Sequence, residues 1–159
     1  MVQLLADRSD IDFVLHEQLH LEALSTYERY ADFNKSVIDM IVTEVRNLAI
    51  KEILPSNEVG DKQGCSFDNG IVTMPDGFKS AWRMLQQGEW FAPSQSVEWG
   101  GQGIPETSNV VAQNYLFAAN LSLLMVAGLN HAAGKIIETF GSDRQKCVYL
   151  KNLYSGEWR

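Results

Sequence analysis

Apolar residues recur at helical spacing over long stretches of the chain. The first clear stretch covers residues 34–54, where one face of a helix would carry Val37, Ile41, Val45 and Leu48. Pro55 follows directly, and proline removes a backbone donor and disfavours helical geometry at the residue before it. We therefore predict that this helix ends at Leu54.

The next helix is predicted to begin at Pro75, because proline is favoured at the first helical position. Its apolar face would carry Phe78, Ala81, Trp82 and Leu85. Gly88 is a suitable C-cap. Between the two helices, residues 56–74 are rich in glycine, asparagine and aspartate, which predicts a long ordered loop. Within that loop, residues 70–74 are the one candidate for a strand.

A long uncharged stretch follows a second irregular segment, residues 89–105. Pro105 opens a predicted helix, and no charged side chain occurs in the sequence between Glu106 and Lys135. A stretch of about 20 apolar residues could span a bilayer, but polar side chains interrupt residues 110–129 and each would need a partner in lipid. A central helix buried by its neighbours is the favoured interpretation.

The C-terminal part predicts two more helices. Residues 129–140 form the first, which Gly141 ends, and residues 143–154 form the second. Ser142 and Gln145 have the spacing of a capping box at the start of the second helix.

The same capping-box spacing occurs at Ser25 and Glu28 and predicts a helix start near the N-terminus. With that helix the chain is predicted to be all-α, a helical up-and-down bundle of about five to six helices joined by two long loops. Its 159 residues fit a single helical domain. We divide this domain into an N-terminal extension, residues 1–23, and the remainder, residues 24–159.

Charge and cysteine content narrow the function. The formal net charge is −7 and the 13 lysines and arginines are scattered, so the chain lacks the basic stripe that nucleic acids and anionic membranes attract. Its two cysteines, Cys65 and Cys147, do not have the spacing of a metal or redox motif. The N-terminus lacks the basic and apolar regions of a secretory signal, so we expect a cytoplasmic protein.

The sharpest chemical motif is the segment of residues 16–20 (HEQLH), which matches the zinc-binding pattern H-E-x-x-H. On a helix, His16 and His20 would share a face and could bind zinc, with Glu17 as general base. However, only fifteen residues precede the motif, and the remaining histidine, His131, is far away in the sequence. No acidic residue stands out as a third ligand, so we expect no metal site.

Three other features permit a ligand but also have a structural explanation. Residues 100–103 (GGQG) lack the preceding strand and the lysine of a phosphate-binding loop, so a tight turn with positive φ angles is expected. The four tryptophans could stack on a ring cofactor, although tryptophan side chains more often lie in a core or at an interface. They are Trp82, Trp90, Trp99 and Trp158. The apolar residues 123–129 either fill the core or line a pocket for an acyl chain.

Several segments, in order, resemble the N-terminal domain of acyl-CoA dehydrogenases. They are residues 49–55 (AIKEILP), 60–64 (GDKQG), 88–103 (GEWFAPSQSVEWGGQG), 141–150 (GSDRQKCVYL) and 153–158 (LYSGEW). Residues 10–15 (DIDFVL) are similar to the N-terminal extension of a larger bacterial subgroup, whose members act on fatty acyl-CoA or on methylthiopropionyl-type acyl-CoA.

The resemblance implies that the chain is part of a longer FAD-dependent enzyme, which oxidises acyl-CoA thioesters to 2,3-enoyl-CoA. Electron-transfer flavoprotein is the expected electron acceptor, and a homo-oligomer is the expected assembly. In the family, a flavin-contacting Thr-Glu-Pro-x-Ala-Gly-Ser-Asp segment, a middle domain and a domain with the catalytic glutamate would follow Arg159. We therefore expect no catalytic residue and no bound FAD in this chain. The resemblance implies that this domain flanks the flavin in the complete enzyme, but it assigns no cofactor-binding residue here.

By the same resemblance, counting back from Gly141 gives the positions that line the acyl chain: Leu124, Met125, Gly128 and Leu129. The small Gly128 and the flexible Met125 would then help to set the chain length. Aromatic residues expected on faces that pack against other domains are Trp90, Phe91, Trp99 and Trp158. Two alternatives stay open: a related flavoprotein such as an acyl-CoA oxidase, and a non-enzymatic helical interaction module.

Overall fold

A computed structural model gives the fold of residue 5 and residues 7–158. Residues 1–4 and 6 of the predicted N-terminal extension lie outside the described residues, as does Arg159. Seven α-helices occur in the described part: α1 Arg8–Asp12, α2 Lys35–Leu48, α3 Leu54–Gln63, α4 Asp76–Gln87, α5 Glu106–Ala119, α6 Leu121–Phe140 and α7 Asp143–Tyr154. The all-α prediction is confirmed, with more helices than the five to six expected.

The N-terminal segment, residues 7–33, consists of short turns rather than one regular helix. After α1 come a π-helical turn and two 3₁₀ turns: Phe13–Gln18, Leu21–Thr26 and Glu28–Tyr30. The predicted capping box at Ser25 is wrong, since its hydroxyl donates to the carbonyl oxygen of Glu22 at 2.7 Å, inside the same turn. Leu15 and Leu21 are buried and join this segment to the main core.

Pro55 does not end the helix that precedes it, contrary to the prediction. α2 continues through a π-helical turn, Ala49–Ile53, directly into α3, whose second residue is Pro55. A π turn is wider than an α-helical turn, which leaves room for a proline ring that a regular helix would exclude. The loop was predicted over residues 56–74, and its first part, residues 56–63, is therefore helical.

The rest of that predicted loop contains a β-hairpin. Strand β1, Ser66–Asp68, pairs antiparallel with strand β2, Ile71–Thr73. The turn residues Asn69 and Gly70 have φ angles of 48° and 82°, as expected for a two-residue hairpin turn. The strand predicted within residues 70–74 is confirmed, and the Asn-Gly dipeptide was the signal for its missed partner.

The long uncharged stretch forms two helices rather than one. α5 ends at Ala119, and the backbone of Asn120 is extended, with φ −157° and ψ 91°. The Asn120 side chain then caps α6, because its oxygen accepts the backbone N–H of Leu123 at 3.0 Å. Its amide donates to the hydroxyl of Ser56 on α3 at 2.9 Å. The predicted helix boundary near Leu129 is therefore wrong, and the true break is fixed by buried polar contacts.

Two helices match their predictions closely. α4 starts one residue after Pro75 and buries its whole predicted face: Phe78, Ala81, Trp82 and Leu85. α7 begins with the predicted capping box, in which Ser142 and Gln145 each accept a hydrogen bond from the other's backbone amide. Both helices begin at a local signal in the sequence.

Most buried side chains form one core, to which α2, α4, α5 and the first half of α6 contribute. Trp82 lies at its edge, with its ring centroid 4.5 Å from that of Phe91. The Trp82 indole N–H donates to the carbonyl oxygen of Gly156 at 3.1 Å. This contact ties α4 to the chain that follows α7.

Candidate functional site

α6 carries an apolar surface that the rest of the described chain leaves uncovered. We call this surface the α6 face and define it by five exposed side chains: Leu121, Met125, Leu129, Ile136 and Phe140. Its first half is uncharged, since no charged residue occurs between Glu106 and Lys135. Among the described residues, no helix has the length and apolar character needed to cross a bilayer.

The four residues predicted to line an acyl chain lie in two environments. Met125 is 52% exposed and Leu129 is 66% exposed, and both belong to the α6 face. Gly128 is partly exposed and, on the same helix, lies one residue before Leu129. Leu124 is only 4% exposed and is part of the main core. The structure thus brings three of the four predicted positions together near the surface, with Leu124 beneath them.

The aromatic residues expected on an uncovered face are placed differently. Phe91 is buried, so the prediction for this residue is wrong, and Trp90 and Trp99 are half-buried. Trp158 is exposed, and its ring lies edge-on to Tyr149 at a centroid distance of 5.8 Å. The α6 face, rather than this aromatic set, is the longer apolar surface.

The glycine-rich loop is closed by its own hydrogen bonds. Gly100 and Gly103 have φ angles of 94° and 66°, which confirms the predicted turn with positive φ. The backbone amide of Gly101 donates to Ser96 at 2.9 Å, and that of Gly103 donates to Gln95 at 3.0 Å. A phosphate-binding loop needs free amides, so this loop does not fit the pyrophosphate of a dinucleotide such as FAD.

The histidines of the H-E-x-x-H segment do not share a helical face. His16 lies in the π-helical turn, and His20 follows with a φ of 48°, so the regular α-helix that would align them is missing. His16 is only 7% exposed, and each ring nitrogen faces a carboxylate. Nδ1 lies 3.2 Å from Glu22 Oε2, and Nε2 lies 2.9 Å from Asp39 Oδ1.

Two cations complete the charge cluster around His16. Nε of Arg8 lies 2.6 Å from Oδ1 of Asp12, and a terminal nitrogen of Arg8 lies 3.4 Å from Asp39. Nζ of Lys35 lies 3.0 Å from the other Asp39 oxygen. Potential metal-ligand atoms of Asp12, His16 and Asp39 lie within 4.8 Å of one another. However, Arg8 and Lys35 already form ion pairs with the two aspartates. The cluster therefore joins the N-terminal segment to α2.

Asp39 is the centre of this cluster. Burial on its own would raise the pKa of the Asp39 carboxyl, but hydrogen bonds from Lys35 and His16 outweigh burial and hold the pKa below its ordinary value. The pKa of Glu22 is also lowered, first by a hydrogen bond from its own backbone amide and then by His16. Both carboxylates therefore stay ionised near neutral pH.

The fold and the α6 face together define a class of protein, a helical domain that presents an uncharged apolar wall. A family model described as the N-terminal domain of acyl-CoA dehydrogenase matches residues 37–157. The chain therefore belongs to the acyl-CoA dehydrogenase family, and the resemblance seen in the sequence is confirmed.

Two curated relatives extend the comparison over nearly the whole chain. The 3-methylmercaptopropionyl-CoA dehydrogenase of Ruegeria pomeroyi is 26% identical over 149 residues, which are 94% of this chain and 25% of the relative. The butyryl-CoA dehydrogenase of Syntrophomonas wolfei is 27% identical over 154 residues, again 94% of this chain and 25% of the relative. The chain thus spans about a quarter of the length of these relatives.

Proposed function

We propose that this chain is the N-terminal domain of an FAD-dependent acyl-CoA dehydrogenase that oxidises acyl-CoA thioesters to 2,3-enoyl-CoA. Within that enzyme, the first half of the α6 face, with Gly128, forms part of the pocket for the acyl chain. The supporting observation is a run of exposed, uncharged apolar side chains at the predicted positions, Met125 and Leu129. A pocket for an alkyl chain needs such a lining.

The α6 face would act by binding and by excluding water. Each methylene group that leaves water for an apolar surface contributes about 0.8 kcal/mol to binding. Met125 can change its rotamer to follow the chain, while Leu124 supports the wall from inside the core. A wall of this kind keeps the reacting thioester in a dry site.

FAD is the cofactor that the family relation implies for the whole enzyme. When bound, a flavin supplies the hydride acceptor. The glycine-rich loop does not fit its pyrophosphate, because the Gly101 and Gly103 amides are already bonded within the loop. We therefore place the pyrophosphate-binding residues and the catalytic base in the part of the enzyme that lies outside this quarter-length match. This chain would flank the flavin, and we assign it no catalytic role.

The assembly and the electron acceptor follow from the same proposal. We infer a cytoplasmic homo-oligomer that passes electrons to an electron-transfer flavoprotein. The net charge of −7 is consistent with a small-molecule substrate and a protein acceptor rather than nucleic acid.

An absorption spectrum of the complete gene product tests the proposed function. We expect flavin bands that lose intensity when a mixture of acyl-CoA thioesters is added without oxygen, and no change when free coenzyme A is added instead. Rapid reoxidation of the reduced flavin by oxygen would identify an acyl-CoA oxidase. A colourless product that does not respond to acyl-CoA would overturn the proposal and leave a helical interaction module.

A further inference from the structure

The rest of the described chain leaves the β-hairpin uncovered. Every residue from 61 to 73 is exposed, and the strands β1 and β2 pair with each other. Their exposed side chains include three large apolar ones: Phe67, Ile71 and Val72. A two-stranded hairpin alone is marginally stable in water, and further strands or a packed helix are needed to stabilise it. The hairpin therefore has the features of a sheet that a partner completes.

The register of the hairpin determines which of its backbone groups point outward. Asp68 and Ile71 flank the two-residue turn, and the pair at this position exchanges both of its backbone hydrogen bonds. The next pair, Phe67 and Val72, is then non-hydrogen-bonded, because the two kinds of pair alternate along antiparallel strands. The amide and carbonyl groups of Val72 therefore point away from β1, toward the outer edge of β2. An edge of this kind can pair with another strand.

The strand β2 is complementary to a second copy of itself. Its three residues, Ile71–Thr73, carry no charge, so two antiparallel copies meet without like-charge repulsion. Around a two-fold axis at Val72, the amide of each Val72 would donate to the carbonyl oxygen of the other. Directly paired residues share one face of a sheet. The four strands would therefore carry a continuous apolar row, formed by Phe67 and Val72 of each copy.

The charges beside β2 also fit a second copy. A cleft of about 410 Å³ lies between β2 and α4, and Lys79 and Arg83 line it together with one acidic residue, Glu157. Neither of the two cations forms an ion pair with a described residue. Antiparallel pairing places the hairpin turn of the second copy, with Asp68, at the end of β2 that leads into α4. Asp68 of each copy would thus supply a counter-charge for the cations of the other.

Pairing along β1 lacks this complementarity. It would bring the hairpin turn of the second copy toward the end of α3 that precedes β1. The side chain of Asp61 is acidic there, and Lys62 already forms an ion pair with Glu58. Asp68 would then approach a like charge rather than two free cations. The charges therefore favour β2 as the shared edge.

We propose that the outer edge of β2 is a contact between two copies of this chain, which join their hairpins into one antiparallel four-stranded sheet around a two-fold axis at Val72. This inference goes beyond the proposed function, because it concerns assembly and does not depend on the acyl-CoA reaction. It gives the proposed homo-oligomer one specific contact.

Sedimentation equilibrium of this chain tests the contact. We expect a dimer with a micromolar Kd, at the weak end of specific interfaces. Val72→Lys should raise this Kd at least about tenfold, because two ammonium groups would meet at the axis, even though the change reduces the net negative charge of each copy. Val59→Lys changes an exposed valine on α3 and is the matched control, which should leave the Kd unchanged. Circular dichroism shows whether each variant is folded.

A charge exchange tests the same contact without a change in β2. Asp68→Lys and Lys79→Glu should each raise the Kd of the dimer, because each puts like charges together across the contact. Both changes in one chain should restore the Kd to near its wild-type value, since the two side chains interact across the two copies. Losses that add in the double variant would contradict the proposed arrangement.

Hydrogen exchange locates the contact within the hairpin. In the proposed dimer the amide of Val72 is bonded, whereas the amide of Phe67 on the outer edge of β1 stays free. A higher protein concentration should therefore slow exchange at Val72 and leave exchange at Phe67 unchanged. The reverse pattern would overturn the choice of β2.

Two further results would overturn the inference as a whole. A chain that stays monomeric at millimolar concentration would show that something other than a second copy covers the hairpin. A dimer that Leu129→Ser weakens and Val72→Lys does not would place the contact on the α6 face. Neither result bears on the proposed reaction, which the flavin spectrum of the complete gene product tests separately.

Discussion

α4 and α6 both carry an apolar face, but only α4 covers its face within this chain. The α4 face is buried, and Trp82 adds a hydrogen bond to Gly156. On α6, Met125 and Leu129 remain more than half exposed. Large uncovered apolar surfaces on soluble proteins mark sites that work with another partner. The difference teaches that α4 serves the stability of this chain, whereas the α6 face stays uncovered in it and is available for the role that we propose in the complete enzyme.

Trp82→Ala should give the largest effect and tests the α4 side of the comparison. The change removes a buried ring next to Phe91 and a hydrogen bond to Gly156. We expect the free energy of unfolding of this chain to fall by about 3–5 kcal/mol. Urea unfolding followed by far-UV circular dichroism measures it. A loss below about 1 kcal/mol would mean that burial of the α4 face does not stabilise this chain.

Asn120→Ala tests the break that turns α6 against α5. The variant loses the cap on Leu123 and leaves the buried Ser56 hydroxyl without its donor. We expect a loss of about 2–3 kcal/mol in the free energy of unfolding. Asn114→Ala, an exposed asparagine on α5, is the matched control and should stay within about 0.5 kcal/mol of wild type. Equal effects of the two changes would contradict a special role of Asn120.

Asp39→Asn tests the charge cluster that holds the N-terminal segment on α2. Since the pKa of Asp39 is lowered in the folded state, its contribution to stability is present above its unfolded-state pKa and is lost as the pH falls through the folded-state pKa. The variant should be about 1 kcal/mol less stable at pH 7 and should lose less stability than wild type below about pH 4. Urea unfolding between neutral and acid pH measures both effects, and parallel pH profiles would be the contrary result.

Leu129→Ser should have the smallest effect on this chain and tests the α6 side of the comparison. The side chain is 66% exposed, so we expect a change in unfolding free energy within about 0.5 kcal/mol. In the complete enzyme, the same change should weaken acyl-CoA binding, because a polar group would face the alkyl chain. A strong loss of stability in this chain alone would show that Leu129 belongs to its core.

Sequence reasoning succeeded where the signal was local. Pro75 and Ser142 mark the starts of α4 and α7 within one residue. It failed at Pro55, because the π-helical turn that accommodates the proline is not visible as a composition or a spacing. It also missed the break at Asn120, since a capping asparagine inside a long apolar stretch resembles an ordinary polar interruption.

The candidate site was predictable only in part, for a related reason. Met125, Gly128 and Leu129 were predicted by counting back along the sequence from Gly141. The family resemblance supplied Gly141 as the reference position. The contact between Phe117 and the Gly128 position could not be predicted in this way, because it depends on how two helices fold together. The contact between His16 and Asp39 could not be predicted for the same reason, because it forms only when the N-terminal segment packs on α2.

The most direct test of the central claim is the chain-length preference of Gly128→Leu in the complete enzyme. A side chain at this position begins at ordinary contact distance from Phe117, so the fold should persist while the added atoms fill the space for the acyl chain. We predict that kcat/KM for the longest acyl-CoA substrates falls at least about tenfold relative to the shortest. An unchanged preference in a folded, flavin-containing variant would show that the α6 face does not line the acyl pocket.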